Sequence, residues 1–210
     1  MLQVAAGSLG GLLGALLVVL LGSGRADTPR PGQELLLPAP MPAPDFELTA
    51  HTGEPFRMAE RAAGKIVVLF FGYTSCPDIC PLTMADLSRA RSMLGDDADR
   101  VLGVMVTVDP ERDTPEALGS WLGGFSPDFI GLTGTTDQLQ TVATGYMAMA
   151  ARSPAGEHEH EGPAAAKPEG YLVDHTGRAF VVVDGAIRMT FAPQTGADAM
   201  ADGLRLMLEP

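Results

Sequence analysis

The amino-acid sequence predicts an α/β fold in which helices cover both faces of a mixed sheet. Strand-like apolar runs alternate with helix-like amphipathic runs from residue 45 onward, as in parallel strands joined by crossover helices. Near the end of the chain, Asp184-Gly185 separates two strand-like runs and predicts an antiparallel hairpin. With 46% hydrophobic and 19% charged residues, the composition is typical of a globular domain with a buried core.

The first predicted elements are a hairpin, a central strand and a helix. The segment "DFELTAHTGEPF" predicts a short hairpin with its turn at Thr52-Gly53. The run "KIVVLFFG", residues 65–72, is continuous, β-branched and aromatic, and therefore predicts a buried central strand. Pro81 is typical of a first helical turn, and we expect Asp78 to accept a hydrogen bond at the start of that helix.

The remaining elements continue the alternation and then close with a hairpin and a helix. The run "RVLGVMVTVD", residues 100–109, predicts a second apolar strand, and Thr114-Pro115 predicts the start of the next helix. Thr135 and Gln138 have the spacing of a capping box and predict another helix start. The other strand-like segments are "DFIGLTG", "GYLVDHTG", "AFVVV" and "AIRMTF". A last helix is expected from about Thr195.

Residues 1–26 predict a signal peptide or a membrane anchor. The first 22 residues contain one strongly polar side chain, Gln3, and their apolar run is long enough to cross a bilayer, which takes about 20 residues. Residues 27–44 contain six prolines and no periodic pattern, so they predict a stiff, extended linker. We therefore expect an exported chain whose folded domain comprises residues 45–210.

The charge pattern argues against a nucleic-acid partner. The chain has a formal net charge of -12 and an isoelectric point of about 4.6. Its 14 lysines and arginines are spread through the sequence and form no basic stripe that would follow a phosphate backbone. No sequence feature indicates an oligomer, so we expect a monomer.

Both cysteines of the chain, Cys76 and Cys80, lie in the stretch "FFGYTSCPDICPLTM" between the central strand and its helix. Residues four apart share one side of a helical turn, so the two sulfurs can meet or share a ligand. A helix N-terminus favours the thiolate, which is the form that attacks disulfides and binds metals. A bridge across so small a loop would add about 2 kcal/mol at most, which makes a structural disulfide the weakest interpretation. A redox pair and a metal site both remain.

A third ligand near the cysteines would favour a metal site over a redox pair alone. Two thiolates are too few for zinc, which takes four ligands, whereas they suit Cu(I), and an imidazole would complete a set of two sulfurs and one nitrogen. Cysteines on the first central strand-to-helix turn fit a thioredoxin-like plan, in which the loop after the late strand "YLVDH" faces the cysteines. His175 ends that strand and is the best candidate among the four histidines. His158 and His160 lie in a polar loop that is either solvated or a weak auxiliary metal patch.

Four motifs, in this order, resemble the Sco family, also called SenC: "FFGYTSCPDICPLTM", "TVDPERDTPE", "FIGLTGT" and "YLVDHT". The resemblance implies a thioredoxin-like domain on a membrane tether at the periplasmic face of a bacterial inner membrane. It implies that Cys76, Cys80 and His175 bind one copper ion, as Cu(I) or Cu(II), and that the two cysteines also cycle between dithiol and disulfide. It further implies that the protein helps to build the dinuclear copper centre of cytochrome c oxidase subunit II, by delivering copper, reducing that subunit's cysteines, or both. An upstream copper donor or a thiol reductant would be a further partner.

Two enzymatic functions remain open at the level of sequence. A periplasmic thiol–disulfide oxidoreductase would use one cysteine for attack and the other for resolution, and would not need His175. A peroxidase would need a lone thiolate activated by a nearby Thr and Arg. Thr74 is two residues before Cys76, but no Arg is close to it in sequence.

Overall fold

The computed structural model describes residues 30–148, 150–154, 171–175 and 177–209, with the backbone alone described in 150–154 and 171–175. The chain divides into two units, Met1–Arg30 and Pro31–Pro210. The predicted export segment, residues 1–26, lies outside the described residues. Of the helices that are described, none has the length and apolar character needed to cross a membrane.

Ten strands and five α-helices are described, together with two short 3-10 helices at Gln33–Leu35 and Gly95–Arg100. The strands are β1 (Leu36–Pro42), β2 (Glu47–Ala50), β3 (Pro55–Arg57), β4 (Ile66–Gly72), β5 (Val101–Thr107), β6 (Ile130–Thr133), β7 (Ala150–Pro154), β8 (Tyr171–His175), β9 (Ala179–Val183) and β10 (Ala186–Phe191). The helices are α1 (Met58–Ala62), α2 (Ile79–Ser92), α3 (Pro115–Gly123), α4 (Thr136–Gly145) and α5 (Ala197–Leu208).

The main sheet is mixed, as the sequence predicted. Its eight strands lie in the order β1-β10-β9-β4-β5-β6-β2-β3. β4, β5 and β6 run parallel to one another, whereas the strands on both sides of this central group pair in antiparallel fashion. β7 and β8 form a separate antiparallel pair. The parallel centre follows from the strand–helix–strand order of the sequence. Of the antiparallel pairs, β2–β3 and β9–β10 are hairpins, whereas β1–β10, β2–β6 and β4–β9 join strands that are far apart in sequence.

Side chains alternate between the two faces of β4, and each face packs against its own helices. Val68 and Phe70 belong to a core cluster with apolar residues of α2, α3 and α5. Leu69 and Phe71 belong to a second cluster with apolar residues of α1 and α4. All seven residues of β4 are buried because helices cover both faces, which explains the uninterrupted apolar run in the sequence.

Local sequence signals mark the ends of several elements correctly. The Thr114 hydroxyl accepts a backbone hydrogen bond of 3.2 Å in the first turn of α3. Thr135 and Gln138 form the reciprocal capping box at the start of α4. Asp184 and Gly185 have φ values of 50° and 72°, the left-handed conformation that a two-residue turn between β9 and β10 requires.

The main sheet begins N-terminal to Asp45, the residue at which the sequence predicts that the folded domain starts. Residues 36–42, expected to belong to a linker, form the edge strand β1, which pairs with β10. Gly32 approaches α5 so closely that a Cβ on it would lie 2.4 Å from the backbone nitrogen of Gly203. Prolines fit an edge strand because its outer side needs no N–H donor. The composition of this segment indicated an extended chain, but its pairing partner lies near the other end of the sequence.

We expect a chain that begins at Asp45 to be less stable than one that begins at Arg30. Loss of β1 leaves β10 as an unpaired edge and uncovers the core surface against which Leu35 and Leu36 pack. Full burial of one such side chain contributes about 1.5–3 kcal/mol, so these two partly buried leucines should contribute about 3 kcal/mol together. At this chain length the melting temperature should fall by about 6 to 12 °C. Thermal unfolding followed by circular dichroism measures the difference, and equal melting temperatures would show that β1 does not stabilise the domain.

Candidate thiol and metal site

The loops that follow β4 and β5 meet at one edge of the sheet. The two strands are parallel and in register, with Gly72 opposite Thr107 at their carboxyl ends. One further backbone hydrogen bond, from Val108 N–H to Gly72 O at 2.9 Å, extends the pairing past the ends of the two strands. The cysteine turn (residues 73–80) therefore begins beside the acidic loop (residues 108–114).

The cysteine turn is built on the N-terminus of α2. Cys80 lies in the first turn of this helix and is 0% exposed, whereas Cys76 is half-buried. The backbone N–H of Cys80 donates to Cys76 Sγ at 3.4 Å. The sulfur of Cys76 thus occupies the position of a capping acceptor, where the orphan N–H groups and the helix dipole favour a negative charge.

Asp78 does not have the role that the sequence predicted. It is the residue immediately before α2, but within the described part of the chain its side chain accepts no capping hydrogen bond. Its backbone, with φ of -141° and ψ of -77°, departs from the extended conformation that N-cap residues usually adopt. The capping acceptor at this helix is the sulfur of Cys76 instead.

Cys80 packs closely against the end of β4. A Cβ at Gly72 would lie 3.0 Å from Cys80 Sγ and 2.5 Å from Phe70 Cε1, so a side chain at position 72 would displace the thiol or the ring. Burial raises the pKa of the Cys80 thiol, and the Cys76 sulfur and the Asp113 carboxylate raise it further. Cys80 is therefore a protonated thiol at neutral pH until a metal ion or disulfide formation displaces its proton.

Asp113 ties the acidic loop to the cysteine turn. Its side chain is 0% exposed, and its Oδ1 accepts from the Thr74 hydroxyl at 2.5 Å and its Oδ2 from the Thr107 hydroxyl at 2.6 Å. The N–H of Thr74 also donates to both carboxylate oxygens, at 3.2 and 3.1 Å. Burial raises the pKa of Asp113, and the hydrogen bonds from the two threonines act in the opposite direction. The segment "ERDTPE", which contains Asp113, predicts a capped turn from sequence, and no local signal indicates the contact with Thr74.

Arg112 also reaches the cysteine turn, although it is distant from both cysteines in sequence. Its guanidinium forms an ion pair with the buried Asp109 and lies 5.6 Å from the centre of the Tyr73 ring. No Arg is close to Cys76 in sequence, whereas the fold places Arg112 beside Tyr73, three residues before Cys76. Arg112 is paired with Asp109, however, so the presence of Arg112 alone does not provide the cation that would activate a peroxidatic thiolate at Cys76.

The backbone after β8 lies against the cysteine turn. His175 is the last residue of β8, and its side chain lies outside the described residues. Gly177, two residues further on, has a φ of 58°, and a Cβ on it would lie 3.1 Å from Ile79 Cγ2. Ile79 stands between the two cysteines in sequence. The loop that leaves β8 is therefore in contact with the segment that carries the thiols.

The other three histidines of the chain are His51, His158 and His160. His51 is held by the sheet, where its Nδ1 accepts from the N–H of Gly131 at 3.1 Å. His158 and His160 lie outside the described residues. Among the side chains that the structure describes, no group of three or more His, Cys, Asp or Glu is arranged to hold a metal ion. The assignment of His175 as a third ligand stays a prediction.

Comparison with known proteins identifies a family. The family model described as SCO1/SenC matches residues 38–209. A putative copper-binding protein of Stutzerimonas stutzeri is 37% identical over 161 residues, which cover 74% of this chain and 78% of that protein. An SCO2-like protein of Rickettsia conorii is 33% identical over 138 residues, which cover 66% of this chain and 62% of the relative. The chain thus spans less than two thirds of the length of the rickettsial relative.

The fold is also shared with a solved structure. ScoI of Bradyrhizobium japonicum, solved with copper bound, is 31% identical and superposes with a TM-score of 0.64. The superposition covers 78% of this chain and 98% of that one. The likeness confirms the α/β, thioredoxin-like fold that the sequence predicted, with its mixed sheet and its helices on both faces.

Cys76 should react with an alkylating agent before Cys80. Cys76 is half-buried, whereas Cys80 is fully buried and has a raised pKa, so its thiolate fraction at neutral pH is small. Each unit of pKa shift lowers that fraction about tenfold, so Cys80 in a Cys76→Ser variant should react at least about tenfold more slowly than Cys76 in a Cys80→Ser variant. Timed iodoacetamide labelling with peptide mass spectrometry measures both rates. Equal rates in the two variants would contradict the difference in environment.

Proposed function

Because the chain belongs to the SCO1/SenC family, we propose that it binds copper and assists the assembly of cytochrome c oxidase. The motifs that carry the family resemblance include the segments around both cysteines. Two relatives support copper as the metal, since one is named a putative copper-binding protein and another was solved with copper bound. Copper is the cargo of the protein in this proposal, taken up and passed on to an acceptor.

The proposed ligands are Cys76, Cys80 and His175, which would hold one copper ion per domain. The observation that carries this assignment is the contact between Gly177 and Ile79, because it supports a position for the end of β8 beside the cysteine turn. Thiolates are soft ligands that suit Cu(I), and an imidazole completes a three-coordinate set that also accepts Cu(II).

The different environments of the two thiols fit the uptake and release of an ion. Cys76 is half-buried at a helix N-terminus, so it would meet an incoming ion first and as a thiolate. Cys80 is buried, and copper has to displace its proton before the second sulfur can bind. Binding would therefore release protons, and the affinity for copper should fall as the pH falls.

The proposed acceptor is the dinuclear copper centre of cytochrome c oxidase subunit II. The predicted export segment, residues 1–26, would anchor the domain to the periplasmic face of the inner membrane or release it into the periplasm. An upstream copper donor would load the site, and a thiol reductant would return an oxidised cysteine pair to the dithiol form.

A second candidate is a thiol–disulfide oxidoreductase, and the unequal exposure of the two cysteines favours it. The Cys76 thiolate would attack a disulfide of the partner, form a mixed disulfide and release one partner thiolate. Cys80, after losing its proton, would attack the Cys76 sulfur, close the intramolecular disulfide and release the second partner thiolate. Two electrons pass from this chain to the partner, and His175 takes no part in the exchange.

Replacing His175 with Ala should abolish stoichiometric copper binding and leave disulfide formation intact. Loss of an outer partner of a metal ligand already costs about 10- to 100-fold in affinity, so loss of a ligand should cost about 100-fold or more. Copper titration of the reduced protein, with X-ray absorption to count sulfur and nitrogen ligands, measures the first effect. Thiol counting before and after oxidation measures the second.

The matched control for this substitution is the double variant His158→Ala, His160→Ala, which should still bind one copper ion tightly. Cys76→Ser and Cys80→Ser should each remove both copper binding and the disulfide. A His175→Ala protein that holds one copper as tightly as wild type would rule out the proposed set of two sulfurs and one nitrogen.

Deletion of the gene for this chain should lower cytochrome c oxidase activity in the membranes of its own cell, most clearly when copper is scarce. Partial recovery on addition of copper would favour delivery as the main role, because excess metal then bypasses the missing carrier. Recovery on addition of a small-molecule thiol reductant would favour the oxidoreductase. Unchanged oxidase activity at limiting copper would contradict a role in assembly.

A further inference from the structure

Asp113 places a buried negative charge next to the cysteine turn. The carboxylate is 0% exposed, and its partners among the described residues are Thr74 and Thr107. All of these contacts come from donors, two hydroxyls and one N–H, and they reach both carboxylate oxygens. The N–H of Thr74 can only donate and reaches both oxygens, and the Thr107 hydroxyl already accepts from the N–H of Asp109, so these contacts favour the charged carboxylate against the burial that raises its pKa. The partners are neutral, so they distribute the charge without cancelling it.

This charge lies within electrostatic reach of both thiols. Thr74 is two residues before Cys76, and chain geometry limits two residues to about 7 Å. At an effective dielectric constant of about 20, unit charges about 10 Å apart still change an equilibrium by about tenfold. The carboxylate of Asp113 raises the pKa of the Cys80 thiol, which is consistent with this proximity.

The ion pair between Arg112 and Asp109 does not cancel the negative charge that Asp113 places near the thiols. Arg112 is the cation of the acidic loop that approaches the cysteine turn, where it lies over the ring of Tyr73. It is paired with the carboxylate of Asp109, which is also buried. The two charges of that pair sum to zero, and the remaining carboxylate beside Asp113 in the loop, Glu111, is exposed, so Asp113 carries the buried net charge of the loop.

The charge of the site depends on the oxidation state of the ion that it holds. Two thiolates and a neutral imidazole carry a charge of about -2 in total, since each thiolate contributes one negative charge. With Cu(I) the set keeps one net negative charge, and with Cu(II) it becomes neutral. A fixed carboxylate nearby repels the negatively charged Cu(I) site and leaves the energy of the neutral Cu(II) site unchanged.

We propose that Asp113 biases the copper site toward Cu(II) by placing a fixed negative charge beside its two sulfur ligands. The inference rests on the proposed copper site and adds to it a residue that binds no metal. Asp113 would thereby lower the Cu(II)/Cu(I) potential of the bound ion and weaken the binding of Cu(I) relative to that of Cu(II).

The test compares the full-length wild-type protein with Asp113→Asn, which keeps the shape of the side chain and removes its charge. We expect the affinity for Cu(I) to rise relative to that for Cu(II) by about tenfold, which is about 59 mV for a one-electron couple. Affinities for the two ions are measured by competition with chelators of known strength, and the potential is measured by redox titration of the Cu(II) electron paramagnetic resonance signal. Asp113→Ser, a second neutral variant, serves if the Asn variant does not fold.

The control is Thr107→Val, which removes one hydrogen bond to the same carboxylate. Because that hydrogen bond lowers the pKa of Asp113, the variants are compared at alkaline pH, where the carboxylate keeps its charge. Thr107→Val should loosen the acidic loop without changing the ratio of the two affinities by more than about threefold. An equal shift in Asp113→Asn and Thr107→Val would overturn the proposal, because geometry and not charge would then set the ratio. An unchanged ratio in Asp113→Asn would overturn it as well, while the copper site itself would stand. A wild-type protein that binds neither ion would overturn the proposed function instead.

Discussion

The in-register parallel pairing of β4 with β5 is the contact on which the site depends. It aligns Gly72 with Thr107 at the carboxyl ends of the two strands, and the bond from Val108 N–H to Gly72 O extends it by one step. Parallel strands release both of their following loops at the same edge of the sheet, so residues that are distant in sequence become neighbours there. Helices on both faces bury the two strands and fix this edge. The cysteine turn and the acidic loop are the two segments that it brings together.

The asymmetry of the two thiols follows from this arrangement. The first turn of α2 directs the backbone N–H of Cys80 at the sulfur of Cys76 and leaves Cys76 half-buried. The same turn directs Cys80 into the core, where the lack of a side chain at Gly72 makes room for it. One sulfur can meet a partner or an ion, and the other is kept protonated until the first has reacted. Both copper binding and disulfide exchange use such a pair, so the geometry of the sulfurs alone does not separate the two functions.

Much of the fold could be predicted from the sequence because its signals are local. The apolar run of β4, the capping box at Thr135 and the turn at Asp184-Gly185 each lie within a few residues of the structure that they specify. Pairings across the chain could not be predicted in the same way. The edge strand β1 has the composition of a linker, and the contact between Asp113 and Thr74 depends on the register of two parallel strands. The position of the loop after β8 was predicted from the topology, and the contact of Gly177 with Ile79 agrees with it.

The electrostatics of the cysteine turn favour a site completed by a cation over one that works by a free thiolate. The net negative charge of Asp113 and the burial of Cys80 both oppose a second thiolate, and Arg112 is already paired with Asp109. A metal ion changes this balance, because its positive charge offsets the cost of ionising the buried sulfur. A peroxidase would have to maintain a reactive thiolate in the same field without that compensation. The buried carboxylate, which would hinder a simple thiol nucleophile, is therefore compatible with a dithiol whose second proton leaves only when an ion arrives.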